Sequence, residues 1–581
     1  MDAFVTRKRP RKDDVAENPI PTRNSSISPP PKRKPVNERK TVDEKTEVVN
    51  LTKANSDEKK VEDSATAAKS TSNFAASPFQ LNCVRDLPLS NNVDTLKLTD
   101  VLGNPMLKEC WLFNYLFDID FVMKQFDPDI RDLVRIRVVH GSWKAEDRNG
   151  IGIIVFELLD KEGARRYGNM RVIRAHMPEP FGTHHSKIIV LFRQDNLAQI
   201  VILTGNFIER DWSMSQAIWR SPLLPLLREE DSLPPWPGPL GSGSRFKHDV
   251  LSYFRGYGPD KLQNLVNQLQ GYDFSEVRGA LIASLPGKQN IQSMNPEYET
   301  LWGWPALKHI LSSIQPCPSN DSEKDHQPHV VGQISSVAAM GEKWLTSTFL
   351  PALHASPHIQ SKSQKPKTSI IFPTADEIRR SVDGYAAGAS IHMKTSNPAQ
   401  KKQLDYLRPM LCHWAGDHKP SVSSFFNKNS TSSIREAGRR RAAPHIKTYI
   451  RFSDAAAMNR IDWAMVTSAN LSTQAWGAAL GAGGEVRICS YEIGVVVWPA
   501  LWDEDGESGS TVMVPVFKKD RPEGSEGTQE DGEAKKVVGL RMPYDLPLKP
   551  YRQDEMPWSA EVPCKEPDWK GQVWPGYVKV H

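Results

Sequence analysis

Cysteine is scarce in this chain of 581 residues. The six present (Cys83, Cys110, Cys317, Cys412, Cys489 and Cys564) stand singly. No two form a Cys-x-x-Cys pair, so a cysteine zinc site and a disulfide framework are both excluded, and a reducing compartment is expected. Long apolar runs are missing too. No stretch approaches about eighteen uninterrupted apolar residues, so no membrane-spanning helix is expected. The first residues, MDAFVTRKRPRKDD, lack the apolar centre of a secretory signal. Also absent are His-Glu-x-x-His, a clustered set of acidic ligands, and a glycine-rich phosphate loop ending in Gly-Lys-Ser/Thr. Charge of one sign is in short supply as well. Of the net +5, residues 1–70 account for +4 (16 Lys/Arg against 12 Asp/Glu), leaving about +1 for the rest. A polyanion bound by the body must therefore meet a local patch.

What the chain does have is apolar content of 39% and 16 tryptophans, enough for a sizeable core in about two to four domains. Residues 1–76 are rich in Ser, Pro, Lys and Glu and read as a disordered basic tail. Its clusters RKRPRK (7–12) and PKRK (31–34) resemble nuclear-import signals, and EVVNLT (47–52) is an apolar island suited to a short partner-binding strand. From 77 onward, VRIRVVHG, IGIIVFELL, MRVIRAHM, KIIVLF and QIVILT have the length and composition of buried strands. Leu262, Leu265, Val266 and Leu269 fall on one face of a helix. A second strand series follows: GALIASLPG, SIIFPT, HIKTYIRF, DWAMVTS and EIGVVVWP. Alternating strands and helices predict an α/β fold of two α-β-α layered halves, 77–277 and 278–581. Residues 317–329, 417–441 (ending in GRRRAA) and 503–537 read as surface inserts.

One pattern occurs in both halves. FGTHHSKIIVLF places His185 and Lys187 before an apolar run, and APHIKTYIRF does the same with His445 and Lys447, 260 residues later. Each is followed by strand, Thr, one or two small residues, Asn (Asn206, Asn470) and a short turn closed by a tryptophan (Trp212, Trp476). The His-to-Asn distances are 21 and 25 residues. A third His-x-Lys, His392 and Lys394, is followed by NPAQKKQLDYL and lacks the strand-Thr-Asn element, so it reads as a non-functional copy.

Two histidines, two lysines and two asparagines brought together can process a phosphodiester. Lysine supplies a point charge for phosphate oxygens, and the asparagine amide a neutral donor. Together they favour the charge of a pentacovalent transition state. One imidazole can attack phosphorus while the other protonates the leaving oxygen. A single copy performs half of this, so the duplication builds one site from two halves. Asp118 and Asp120 in LFDIDFVM look like a metal-binding Asp-x-Asp on one strand face, but no third ligand is apparent.

The paired motif resembles the phospholipase D superfamily. The usual motif has an Asp separated from the Lys by four residues. Here Phe192 and Phe452 stand in those places, a departure that resembles the tyrosyl-DNA phosphodiesterase branch acting on 3′ ends. FNYLFDIDFVMKQ, NFIERDW, QAIW, TSANLSTQAWG, SYEIGV and MPYDLPLKPY agree, from about 80 to 581. The resemblance implies a metal-independent, cofactor-free DNA-repair hydrolase that cleaves 3′-phosphotyrosyl bonds and other 3′-end adducts through a phosphohistidine. By resemblance, His185 is the nucleophile, His445 the general acid and then base, and Lys187, Lys447, Asn206 and Asn470 the phosphate clamp. Glu492 would orient His185 and Gln216 would orient His445. Phe181 would stack on a base, and Ser336 and Ser472 would bind backbone phosphates. Ala338 and Ala339 stand where the family has Gly or Ser, which removes support for one DNA contact. The implied partners are DNA 3′ ends carrying a topoisomerase peptide, with import and repair factors on the tail, no membrane, a monomeric state and a nuclear location. The alternatives are a phospholipase D-type lipid phosphodiesterase and a non-catalytic DNA-binding scaffold.

Overall fold

The Val/Ile/Leu runs become strands because each is too short for a helix and flanked by turn residues. The computed structural model describes residues 73–141, 166–228, 236–316, 327–357, 365–415, 434–503, 510–523 and 536–576. The run IGIIVFELL, the two basic clusters and EVVNLT lie outside these residues. Within Ser70–His581 the chain forms one compact unit.

Two large mixed sheets repeat one topology. In the first, the order is Phe79–Leu81, Ala217–Arg220, Leu197–Leu203, Ile188–Arg193, Leu107–Phe113, Arg135–His140 and Met170–Arg174. In the second it is Ala280–Ser284, Glu492–Val497, Ile461–Thr467, Thr448–Phe452, His329–Gln333, Lys367–Ile371, Leu411–His413 and Lys549–Pro550. In each sheet the strand after the His-x-Lys is antiparallel to both neighbours, and on one side the next three strands run parallel to each other; the short edge strand Lys549–Pro550 of the second sheet is antiparallel.

Strand alternation sorts the apolar side chains into layers. Cys110, Leu112, Ile189 and Leu191 face an outer cluster with the helices Leu98–Leu102 and Ile119–Met123. Trp111, Phe113, Ile188, Val190 and Phe192 face the centre, where they meet Ile450, Val466 and Val495 of the second sheet. The helices Gly243–Arg255 and Gln263–Gln270 complete that shared layer; the expected face of Leu262, Leu265, Val266 and Leu269 is buried in it. Helices Gly303–Ser313 and Pro398–Leu407 belong to the second sheet's outer cluster.

Several expectations need correction. Residues 73–76 are part of the folded body, because Phe74–Ala75 pairs with Val537–Val538. The stretch 503–537 is not all surface: Thr511–Val516 is a strand parallel to Lys536–Arg541, with Met513 and Val516 fully buried. Nor does GRRRAA end a surface loop throughout. Arg439 is buried, its guanidinium donates to the Asn82 carbonyl at 3.0 Å, and burial lowers its pKa to about 9. Asp118 does not sit on a strand but caps Ile119–Met123, accepting from the Phe121 N–H at 3.0 Å. Asp120 pairs with Arg166 at 2.7 Å.

Candidate active site

In each half the site residues gather at one end of an antiparallel strand pair. His185 and Lys187 precede Ile188–Arg193, and Asn206 follows the adjacent Leu197–Leu203. His445 and Lys447 precede Thr448–Phe452, and Asn470 follows Ile461–Thr467. The Leu203 N–H donates to the Lys187 carbonyl at 3.1 Å, and the Thr467 N–H to the Lys447 carbonyl at 3.2 Å. A sequence gap of some twenty residues thus closes to one strand spacing. The closing tryptophans are locks: the indole N–H of Trp212 donates to the Asn206 carbonyl (3.2 Å) and that of Trp476 to the Asn470 carbonyl (3.0 Å). Phe192 and Phe452 point into the apolar centre, fully buried, where an unpaired carboxylate would cost several kcal/mol (~3–5).

The two ends face each other. The His185 N–H donates to the Tyr491 carbonyl at 3.0 Å, and the Ser215 N–H to the Ala443 carbonyl at 2.9 Å. Glu492 reaches across, its Oε2 at 3.0 Å from His185 Nδ1 and itself accepting from the Ser468 hydroxyl at 2.5 Å. That leaves Nε2 of His185 for chemistry. Burial holds the His185 pKa below its ordinary value, with Glu492 opposing and Lys187 assisting. Beneath it, His184 is spent on structure: Nδ1 at 3.1 Å from the Asn114 carbonyl and Nε2 at 2.9 Å from the Tyr257 hydroxyl.

Lys187 and Lys447 are fully buried. Lys187 donates to the His185 carbonyl at 3.0 Å, and Lys447 to the His445 carbonyl at 3.1 Å and the Thr204 carbonyl at 3.3 Å. Burial brings Lys187 down to about 8, and burial together with Lys187 pulls Lys447 well below its ordinary value. A phosphate anion between them would restore both charges. Nζ of Lys447 also lies 3.4 Å from Nε2 of His445, so both point toward the same place. Burial, followed by Lys447, Lys187 and His185, pushes His445 well below its usual value.

Gln216 stands at His445, its Nε2 at 3.4 Å from Nδ1, but the same nitrogen donates to the Asp211 carbonyl at 2.6 Å. The carboxylate of Asp211 is nearer still: Oδ2 is 3.2 Å from Nδ1 of His445. Sequence reading passed over Asp211, although NFIERDW carries it just before the locking tryptophan. Asn206 leans on it too, donating its backbone N–H (3.0 Å) and Nδ2 (2.7 Å) to Oδ2. Asn470 is held differently, its Oδ1 accepting from the N–H groups of Ser335 (3.1 Å) and Ser336 (2.9 Å), which turns its amide nitrogen away from them.

The remaining expected residues lie on the rim. Phe181 is 70% exposed, with a left-handed φ of 62°. Ser336 is half-buried beside Asn470. Ser472 caps Thr473–Trp476, accepting from the Ala475 N–H at 3.1 Å. Tyr115, unremarked in the sequence, packs with its ring 6.2 Å from that of His185. His392 is at the rim as well: its N–H donates to the Ser335 carbonyl at 2.9 Å, and strand alternation exposes it between buried Ile391 and Met393. As expected, a helix follows it where the other copies have strand-Thr-Asn. Among the described residues, no three His, Cys, Asp or Glu side chains gather to hold a metal, and no helix is long and apolar enough to cross a membrane.

The family model of tyrosyl-DNA phosphodiesterase matches residues 78–552. A probable tyrosyl-DNA phosphodiesterase of Schizosaccharomyces pombe is 31% identical over 560 residues, covering 86% of this chain and 96% of its own. Tyrosyl-DNA phosphodiesterase 1 of Arabidopsis thaliana is 29% identical, with 86% of this chain and 76% of its own covered. The crystal structure of the yeast tyrosyl-DNA phosphodiesterase superposes with a TM-score of 0.56 at 19% identity, over 83% of this chain and 99% of that one, and so shares the fold. With two His-x-Lys…Asn units closing on one another in that fold, this chain belongs to the tyrosyl-DNA phosphodiesterase family of phosphodiester hydrolases.

Proposed function

We propose that the chain repairs DNA by hydrolysing 3′-phosphotyrosyl bonds, and other 3′-end adducts, in two displacements at phosphorus. In the first, Nε2 of His185 attacks and the P–O bond to tyrosine breaks, while His445 gives its proton to the departing phenolate. In the second, His445 takes a proton from water, the resulting hydroxide attacks phosphorus, and the P–N bond breaks. A 3′-phosphate and neutral His185 remain. Lys187 and Lys447 carry the charge of the pentacovalent states, and Asn206 and Asn470 fix the non-bridging oxygens. Glu492 orients His185, Gln216 adjoins His445, and Phe181, Ser336 and Ser472 receive the DNA strand.

One observation carries this reading: a half-buried and a buried histidine face each other across two buried lysines, and a carboxylate holds Nδ1 of His185 so that Nε2 is free. Such a pair suits sequential nucleophilic and acid–base work. The basic clusters of the tail motivate nuclear import as a further part of the proposal. The test is a labelled 3′-phosphotyrosyl oligonucleotide incubated with the full chain in EDTA and run on a denaturing gel. Conversion to a 3′-phosphate is expected. No conversion in chelator, with recovery on adding Mg²⁺ or Zn²⁺, would overturn the metal-free mechanism.

A further inference from the structure

Asp211 has no counterpart in the second copy. Aligning NFIERDW on NLSTQAW puts Ala475 in its place, so the repeat cannot account for it. Its side chain is fully buried, a costly place for a carboxylate unless well partnered. Both oxygens are held: Oδ2 by Asn206 through the backbone N–H (3.0 Å) and Nδ2 (2.7 Å), Oδ1 by the Ser390 hydroxyl at 2.9 Å. Oδ2 also lies 3.2 Å from Nδ1 of His445.

Tautomer decides what His445 can do. To take a proton from water, neutral His445 must keep its lone pair on Nε2 and its hydrogen on Nδ1. Gln216 works against this. Its Oε1 accepts from the Thr204 hydroxyl at 2.9 Å, so its Nε2 is the atom turned to His445, and an N–H aimed at Nδ1 favours the opposite tautomer. Only an acceptor at Nδ1 reverses the preference, and Asp211 is the carboxylate there.

We propose that Asp211 is the positioning residue of the second displacement: it accepts Nδ1–H of His445, selects the tautomer able to deprotonate water, and through Asn206 couples that ring to the phosphate clamp. The role rests on the reading of His445 as acid and base. Each histidine then leans on a carboxylate from the opposite half, Glu492 for His185 and Asp211 for His445. Gln216 acts one step removed, holding the Asp211 backbone. The charged groups around His445 besides Asp211 are Lys447, Lys187, His185 and His392.

The discriminating variant is Asp211→Asn. An amide oxygen in the place of Oδ2 still accepts from Asn206 and, more weakly than a carboxylate, from Nδ1–H of His445, and the amide nitrogen in the place of Oδ1 can donate to Ser390, so the network survives while the charge that favours Nδ1–H goes. The substrate is a 3′-nitrophenyl phosphodiester of a short oligonucleotide, whose leaving group needs no acid. Wild type and variant should show the same nitrophenolate burst, which also reports a folded, competent His185. Turnover after the burst should fall about 10- to 100-fold in the variant, short of the ~10²–10⁴ expected for loss of the whole acid–base group. The covalent protein–DNA band should rise accordingly. Without the carboxylate the His445 pKa drops, so the acidic limb of the second step should move to lower pH; a purely structural effect would scale the profile without moving it. Should Asp211→Asn fail to fold, Ser390→Ala carries the test in the opposite sense. It strips one donor from the carboxylate, makes it a stronger acceptor, and should move that limb upward. An unmoved limb in the folded variants, with turnover unchanged, overturns the proposal. Wild type that gives neither product nor adduct from phosphotyrosyl DNA overturns the underlying reading instead.

Discussion

The two halves share seven strands in the same order and the same His-Lys-Asn set, yet they hold those residues differently. Asn206 hangs on a carboxylate, whereas Asn470 hangs on two backbone N–H groups. The His185 side chain is 17% exposed and that of His445 only 5%. Repetition thus supplied the positions of the reactive groups, and residues that the two copies do not share set their inequality. An open imidazole suits a nucleophile that must meet phosphorus, and an enclosed one suits an acid shielded from bulk water.

The hardest test of that inequality is to remove each imidazole in turn. His185→Ala should abolish both product and covalent adduct. His445→Ala should slow the second displacement more than the first, because a tyrosine phenolate, with a free pKa of about 10, leaves more readily than hydroxide can be generated from water. Its signature is a slow-migrating protein–DNA band from labelled 3′-phosphotyrosyl DNA. Adduct with His185→Ala and none with His445→Ala would reverse the assignment.

Next come the asparagines. Asn206→Ala takes the Nδ2 donor from a buried carboxylate and should lower kcat by about 10²–10³, the range for losing one transition-state donor. Asn470→Ala leaves no charge unpaired and should cost several-fold less; equal losses would erase the proposed difference between the clamps. Single-turnover rates at saturating enzyme are the measurement.

A moderate effect is expected in pH dependence. Burial holds both histidines low. A bound phosphate anion favours their charged forms and raises both. The bell should therefore sit at higher pH in kcat than in kcat/KM, its apparent pKa values belonging to the coupled pair. Coincident bells would contradict this.

The smallest expected effect lies away from the site. His413 is buried between Glu377 (3.0 Å from Nδ1) and Glu555 (3.1 Å from Nε2). Burial lowers its pKa, but the two carboxylates outweigh that and leave it raised. Stability from this group is therefore fully present below its unfolded pKa of about 6.5 and lost as pH rises through the higher folded value. His413→Gln should cost about 1 kcal/mol near pH 6 and less near pH 8.5 by urea unfolding. A pH-independent loss would assign it to packing alone.

Much of this architecture was legible because it follows from local rules. Val/Ile runs of strand length, a helix face at Leu262–Leu269, and a doubled His-x-Lys…Asn unit are all short-range patterns. What escaped depends on distant partners. Arg439 is buried because the Asn82 carbonyl, more than three hundred residues away, receives it. Thr511–Val516 sits inside an acidic, glycine-rich stretch and becomes a strand by pairing with Lys536–Arg541. Asp211 was missed because comparing the repeats highlights what they share, and it is a residue they do not. His392 looked inert for want of the strand-Thr-Asn element, yet pairing with Ser336 brings it to the rim.

Phe181 carries a consequence beyond its proposed contact with DNA. A left-handed φ of 62° costs a residue with a side chain roughly 1–3 kcal/mol. The turn is held because Gly182 packs against the Cys489 carbonyl with no room for a Cβ, and Glu179 is paired with Arg487. Folding energy is thus invested in displaying an aromatic ring to solvent. Selection for thermal stability alone would drift toward Phe181→Gly, a change that relaxes the backbone. The resulting protein would melt later and grip a single strand less tightly, so a hardier chain at this position should be a poorer enzyme at low substrate.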